Sequence, residues 1–184
     1  MFQLASDQGH PVAACSLGYF YEKGLGVPIN LPKAVEYYQL ASDRNDPGGL
    51  CNLGYFYEYG IHVEIDFDKA RKLYQRAAKQ GYARAQCNLA HLYENGKGVP
   101  QNYSLAMFYY KKAAKQNYPR AQRCLGILYA NGHGVEKNVD KAFALYIKAA
   151  EQGDEVAQCN VGYYYDNGIS VDLDPVKANE WYEK

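Results

Sequence analysis

Around residue 89, small and apolar side chains fall at Ala85, Leu89, Leu92 and Tyr93. These are positions i, i+4, i+7 and i+8, the spacing of one buried helix face. A second kind of stretch carries Ala34, Tyr37, Tyr38 and Ala41 at the same period, matched later by Ala142, Leu145, Tyr146 and Ala149. Helices of the first kind start near Pro11, Pro47 and Pro119, where a missing N–H costs nothing at the first helical position. They stop at a glycine, preceded by Asn in Asn95-Gly96, Asn131-Gly132 and Asn167-Gly168. Asn-Gly between strands would signal a hairpin, but the flanking period is helical, so the glycine reads as a left-handed helix stop. A short loop follows, Gly-x-Gly-Val at 24–27, 96–99 and 132–135. The second helix is announced by Asn30, Asp66, Asn102, Asn138 and Asp174, all good N-caps.

The pattern recurs every 36 residues without insertion. Leu17-Gly18 leads to Leu53-Gly54, Leu89-Ala90, Leu125-Gly126 and Val161-Gly162, and Tyr38 leads to Tyr74, Tyr110, Tyr146 and Tyr182. The Gly24 and Ala34 series keep the same register. One helix pair of this size cannot bury its own apolar stripe, and stacked neighbours can. The expected fold class is therefore all-α, a right-handed α-α superhelix (solenoid) of 36-residue helix-turn-helix repeats with a concave and a convex surface. The expected repeats are 11–46, 47–82, 83–118, 119–154 and an incomplete 155–184 in a single array. Phe2 aligns with Tyr38 and Leu4-Ala5 with Leu40-Ala41, so residues 1–10 read as the tail of a preceding repeat. Neither end has the polar face of a capping repeat, so the chain reads as a fragment of a longer one.

Composition follows from this period. The 20 Tyr, 17 Gly and 5 Cys among 184 residues are a few repeat positions multiplied. Lys plus Arg and Asp plus Glu each number 20, a zero net charge that argues against an electrostatic nucleic-acid binder. No apolar run approaches the roughly 20 residues that span a bilayer, so direct membrane insertion is not expected. The first residues are neither basic nor apolar and show no signal peptide.

Other chemistry is sparse. Gly24-Leu25-Gly26 follows a helix instead of a strand and lacks the context of a dinucleotide fingerprint. His10, His62, His91 and His133 form no zinc spacing. Cys87 and His91, four apart on one helix face, supply two ligands, too few for a metal site. Asn102-Tyr103-Ser104 is a glycosylation sequon whose Asn already serves as an N-cap. No nucleophile is set beside a base, so no catalysis, metal or small-molecule cofactor is expected.

The unit Ala85-Gln86, Leu89, Tyr93, Gly96-x-Gly98-Val99, then Ala106, Tyr110, Lys112-Ala113-Ala114 and Gln116, resembles a Sel-one-like repeat. That family is a longer relative of the tetratricopeptide repeat. The resemblance covers essentially the whole chain, with Ala90, His62, Ser170 and Leu105 as mild departures. It implies an adaptor that binds other proteins, as relatives do in endoplasmic-reticulum degradation, cell-wall enzyme regulation and bacterial contact with host cells. The alternatives are the regulatory repeat region of a larger enzyme, such as a kinase or ligase complex subunit, and a hydrolase-like secreted relative. Cysteine-rich bacterial members pair each first-helix Cys with one in the second helix. Here the partner position is Ala, as in Ala77-Ala78 and Ala113-Ala114. Stacked helices lie roughly 8–10 Å apart, too far for neighbours in the Cys15, Cys51, Cys87 and Cys159 series to join. Thiols outside any disulfide favour a reducing, cytoplasmic compartment.

By the same resemblance the first helix of each unit lines the concave groove. This gives Tyr19, Asn52, Tyr55, Tyr59, Asn88, His91, Arg123, Asn160 and Tyr163 as partner-binding residues, with Glu22, Glu58 and Glu94 on the same face. Asn52, Asn88 and Asn160 recur at one position, and in related arrays such a ladder holds the backbone of an extended peptide. An amide offers both donor and acceptor to it. The tyrosines are amphipathic rings of the kind enriched at interfaces.

Overall fold

The computed structural model describes residues 11–184, so the expected tail of a preceding repeat at 1–10 lies outside the described residues. Ten α-helices make up the described chain: α1 (Pro11–Lys23), α2 (Leu31–Asp43), α3 (Pro47–Tyr59), α4 (Phe67–Lys79), α5 (Ala83–Asn95), α6 (Tyr103–Ala114), α7 (Pro119–Asn131), α8 (Val139–Ala150), α9 (Glu155–Asn167) and α10 (Pro175–Tyr182). No strand occurs among the described residues, and odd- and even-numbered helices alternate as first and second members of helix-turn-helix repeats of about 36 residues.

Helix boundaries fall where local chemistry puts them. Asn30, Asp66, Asn102, Asn138 and Asp174 each accept a hydrogen bond from the backbone N–H three residues on, at 2.8–3.0 Å. These bonds satisfy donors that have no partner inside the helix. First helices end on left-handed glycines, with Gly60 at φ 66° and Gly132 at φ 74°. The second loop position is also left-handed, and there His62 (φ 56°) and Ser170 (φ 64°) stand where other repeats have Gly.

The chain divides into two compact units, the first holding described residues 11–92 and 96–100, the second 93–95 and 101–184. In the first unit α1 packs on α2, α2 on α3 and α3 on α4. Its core holds Tyr38, Leu50, Leu53, Phe56, Tyr74 and Leu89, each at most 1% exposed. Burying such a side chain is worth about 1.5–3 kcal/mol. In the second unit α6 packs on α7, α7 on α8, α8 on α9 and α9 on α10. Tyr146, Ala149, Ala157, Val161 and Tyr164 lie at its centre.

The Leu-Gly pair of each first helix has a steric role. A methyl group at Gly54 would sit 2.8 Å from the Tyr74 ring, and one at Gly126 would sit 2.6 Å from the Tyr146 ring. The second-helix tyrosine ring therefore packs directly against first-helix backbone.

Candidate interaction face

The first unit presents α1, α3 and the first part of α5. Tyr19, Tyr55 and Tyr59 are 46%, 39% and 44% exposed, which is unusual for aromatic side chains. The Tyr55 and Tyr59 rings pack at 4.5 Å with planes 38° apart, one helical turn from each other. Lys97 places its ammonium 5.4 Å from the Tyr59 ring centre, within cation–π range.

Under this aromatic pair lies Glu58, which differs from the sequence expectation of an open carboxylate. It is buried, accepts a 2.9 Å hydrogen bond from the Tyr74 hydroxyl, and has Lys97 Nζ at 3.3 Å and His91 Nδ1 at 3.4 Å. Burial opposes its ionisation, but the hydrogen bonds from His91 and Tyr74 and the neighbouring charges of His91 and Lys97 prevail. Its carboxyl is thus held below the usual glutamate range. His91 is half-buried and belongs to this cluster.

The expected asparagine ladder is turned inward. Asn88 is only 4% exposed, and its amide donates to Cys51 Sγ at 3.7 Å. Asn52, half-buried, donates to Cys15 Sγ at 3.7 Å and accepts from Arg84 Nη2. In these two pairs an amide of one repeat reaches a sulfur of the repeat before, a pattern that stops at Asn160, where Arg123 stands at the sulfur position. Asn88 offers no open amide to a peptide, because its side chain is buried with the amide directed at Cys51 Sγ. Burial, then the Asp46 carboxylate, pushes the Cys15 thiol up to about 12, and burial also raises Cys51. Neither is a ready thiolate at neutral pH. The five cysteines form no disulfide.

A cavity of about 360 Å³ opens on the same face between α1 and α3. Cys15, Tyr19, Phe20, Asp46, Asn52 and Tyr82 line it, bringing expected face residues together with Asp46 and Tyr82, which the sequence did not single out.

In the second unit Arg123 pairs with Asp154, its Nε 2.9 Å from Oδ1 and 3.1 Å from Oδ2. Asn160 is half-buried, and Tyr163 is 53% exposed with its ring against Tyr164 at 6.4 Å. Among the described residues no group of three or more His, Cys, Asp or Glu could hold a metal ion, and no helix is long and apolar enough to cross a membrane.

What sequence reasoning missed is a pairing inside each repeat, between a first-helix carboxylate and the second-helix tyrosine. Glu22, Glu58 and Glu94 each stand 16 residues before the tyrosine whose hydroxyl they accept, Tyr38, Tyr74 and Tyr110. That constant offset was available as a signal in the first three repeats, and the fourth breaks it with Ala130 at the carboxylate position.

Comparison with solved structures finds close likeness. A Sel1 repeat protein from Oxalobacter formigenes is 34% identical with a TM-score of 0.87, covering 94% of this chain and 71% of its own. A protective antigen of uropathogenic Escherichia coli strains, displaying an SLR fold, is 29% identical with a TM-score of 0.60. The match covers 99% of this chain and 47% of the antigen, so the chain spans about half the antigen's length. An immunity protein from Pseudomonas aeruginosa shares the fold at 24% identity and a TM-score of 0.70, over 99% of this chain and 70% of that one. Comparison with curated proteins finds no match. The Sel1 repeat itself matches at residues 11–46, 47–82, 83–118, 119–154 and 156–184, and with that coverage the chain belongs to the Sel1 repeat family.

Proposed function

We propose that this chain is a non-catalytic interaction scaffold that binds a peptide segment or partner surface through the first-helix faces of its units. Sel1 repeats generally serve as protein-interaction scaffolds. The observation that carries the reading for this chain is the exposed row Tyr19, Tyr55 and Tyr59 beside a cavity on the same face. Tyrosine supplies large contact area at low entropic cost, and exposed rings grouped around a concavity are what an interface hot spot is built from. Tyr163 offers the second unit a similar contact.

The role assigned to each residue follows its surroundings. Tyr19, Tyr55, Tyr59 and Tyr163 contact the partner. Asn52, Asn88, His91 and Arg123 set the shape and charge of the face, because their polar atoms already meet Cys15, Cys51, Glu58 and Asp154. A display of random 12-residue peptides selected on the full chain tests the proposal. Selected peptides should lose at least ten-fold in affinity to the Tyr55→Ala/Tyr59→Ala variant, given the more than 1 kcal/mol typical of each hot-spot aromatic. Peptides that bind this variant unchanged would place the interface elsewhere.

A further inference from the structure

The cavity between α1 and α3 is a site whose counterparts elsewhere in the chain are occupied by an arginine. At the next repeat, Arg84 lies against the matching pair of residues: its Nε donates to Cys51 Sγ at 3.3 Å and its Nη2 to Asn52 Oδ1, with the Tyr82 ring centre 5.9 Å away. One repeat earlier the position of Arg84 is Gly48, and Cys15 and Ser16 stand where Cys51 and Asn52 stand. A second counterpart lies in the other unit. Asp154, three repeats after Asp46, caps its helix through Ala157 N–H at 2.9 Å and is paired by Arg123. The residue equivalent to Arg123 at the Asp46 site is Cys15.

Both positions from which this chain supplies a guanidinium to such a site are therefore vacated around Asp46, by Gly48 and by Cys15. Asp46 itself is 8% exposed; it accepts a hydrogen bond from Gly49 N–H at 2.7 Å and another from the neutral Cys15 thiol, and neither partner carries a charge. Among the described residues no Lys, Arg or His comes within ion-pair distance of it. A carboxylate removed from water is costly unless it is paired, and the helix N-terminus offsets only part of that cost. What remains is a concavity lined by the Asp46 carboxylate and by the aromatic rings of Tyr19, Phe20 and Tyr82.

We propose that this cavity receives an arginine side chain of the bound partner, which supplies in trans the guanidinium that Arg84 and Arg123 supply within the chain. A planar guanidinium presents five donors and stacks on aromatic faces, so it fits the carboxylate and the rings at once. A lysine ammonium fits only the charge. The proposal rests on the reading of the first-helix face as a binding surface and names the partner chemistry there.

The test uses NMR of the full chain titrated with acetyl-arginine methylamide, with the acetyl-lysine and acetyl-norleucine methylamides in parallel. The arginine probe should shift the amides of Ser16, Gly48 and Asn52 and bind at least three-fold more tightly than either control. Equal binding of the norleucine or lysine probe, or shifts that map elsewhere, overturns the proposal. Asp46→Asn keeps a good helix cap and should weaken the arginine probe at least five-fold. Cys15→Arg rebuilds the Arg123–Asp154 pair in cis and should abolish binding. An unchanged affinity in a folded variant of either kind overturns the assignment. Tyr55 and Tyr59 do not line this cavity, which separates the two readings. Peptides that need those tyrosines but are indifferent to Asp46→Asn would sink this inference alone. Arginine binding combined with peptides indifferent to the tyrosines would sink the face reading alone.

Discussion

The Tyr74 hydroxyl donates a 2.9 Å hydrogen bond to the buried Glu58 carboxylate, joining the second helix of a repeat to its first. Tyr38 with Glu22 and Tyr110 with Glu94 repeat the bond at 2.6 Å each. Burial, then the hydrogen bond to Glu22, raises the Tyr38 hydroxyl well above the usual tyrosine range, and burial followed by the Glu58 charge does the same for Tyr74. Both hydroxyls are therefore donors at any working pH. Tyr74→Phe removes the donor and leaves the carboxylate in place, so a loss of about 1.5–3 kcal/mol is expected, the range for hydrogen bonds to charged groups. Tyr146→Phe should cost about 1 kcal/mol or less, since Ala130 holds the carboxylate position in that repeat. Urea unfolding of both variants compares them directly, and equal losses would remove the carboxylate from the account.

Stability should fall on acidification through Glu58. Its carboxyl is depressed in the folded state, so the unfolded chain takes up the proton first as pH drops. The stabilisation is present above the ordinary glutamate range and disappears as pH falls from that range through the lower folded-state value. Glu58→Gln should therefore be less stable than the parent at neutral pH and should show a shallower acid limb. Parallel acid limbs in thermal melts between pH 3 and 7 would contradict this.

Gly54→Ala places a methyl carbon 2.8 Å from the Tyr74 ring, and overpacking of this kind costs about 1–3 kcal/mol. The third repeat has made the opposite accommodation, with a fully buried Ala90 at the equivalent position. Ala90→Gly should cost about 0.5–1 kcal/mol through backbone entropy alone. Melting temperatures of the two variants should both drop, the Gly54 variant further.

Thiol chemistry should separate the cysteines by environment. Cys159 is exposed, Cys51 is buried, and Cys15 has its thiol pushed up to about 12 by burial and then by Asp46. At pH 8, iodoacetamide should label Cys159 first and Cys15 far more slowly, as peptide mass mapping over time would read. Labelling of Cys15 at the rate of Cys159 would mean that the cavity does not shield it.

Much of the helical architecture was legible because its causes are local. An Asn or Asp three residues ahead of a helical N–H, or a glycine where the chain must turn left-handed, acts within one turn, and Asn30 and Gly60 perform those roles. The face was legible only as a pattern of positions. Tyr55 and Tyr59 stand exposed on it, whereas Asn88 and Glu58 are buried by contacts that no single repeat contains.

The sequence by itself determined the period, the helix pairs and their ends, since 36-residue recurrence and capping chemistry need no knowledge of neighbours. Tertiary structure alone decided which polar side chains are spent inside the stack and which stay exposed. Asn52 on Cys15, Asn88 on Cys51 and Arg123 on Asp154 are contacts 31 to 37 residues apart, set by how one helix pair lies on the next. A polar residue stays available only where no neighbouring repeat reaches it first, and around Asp46 the two positions that hold arginine elsewhere carry Gly48 and Cys15.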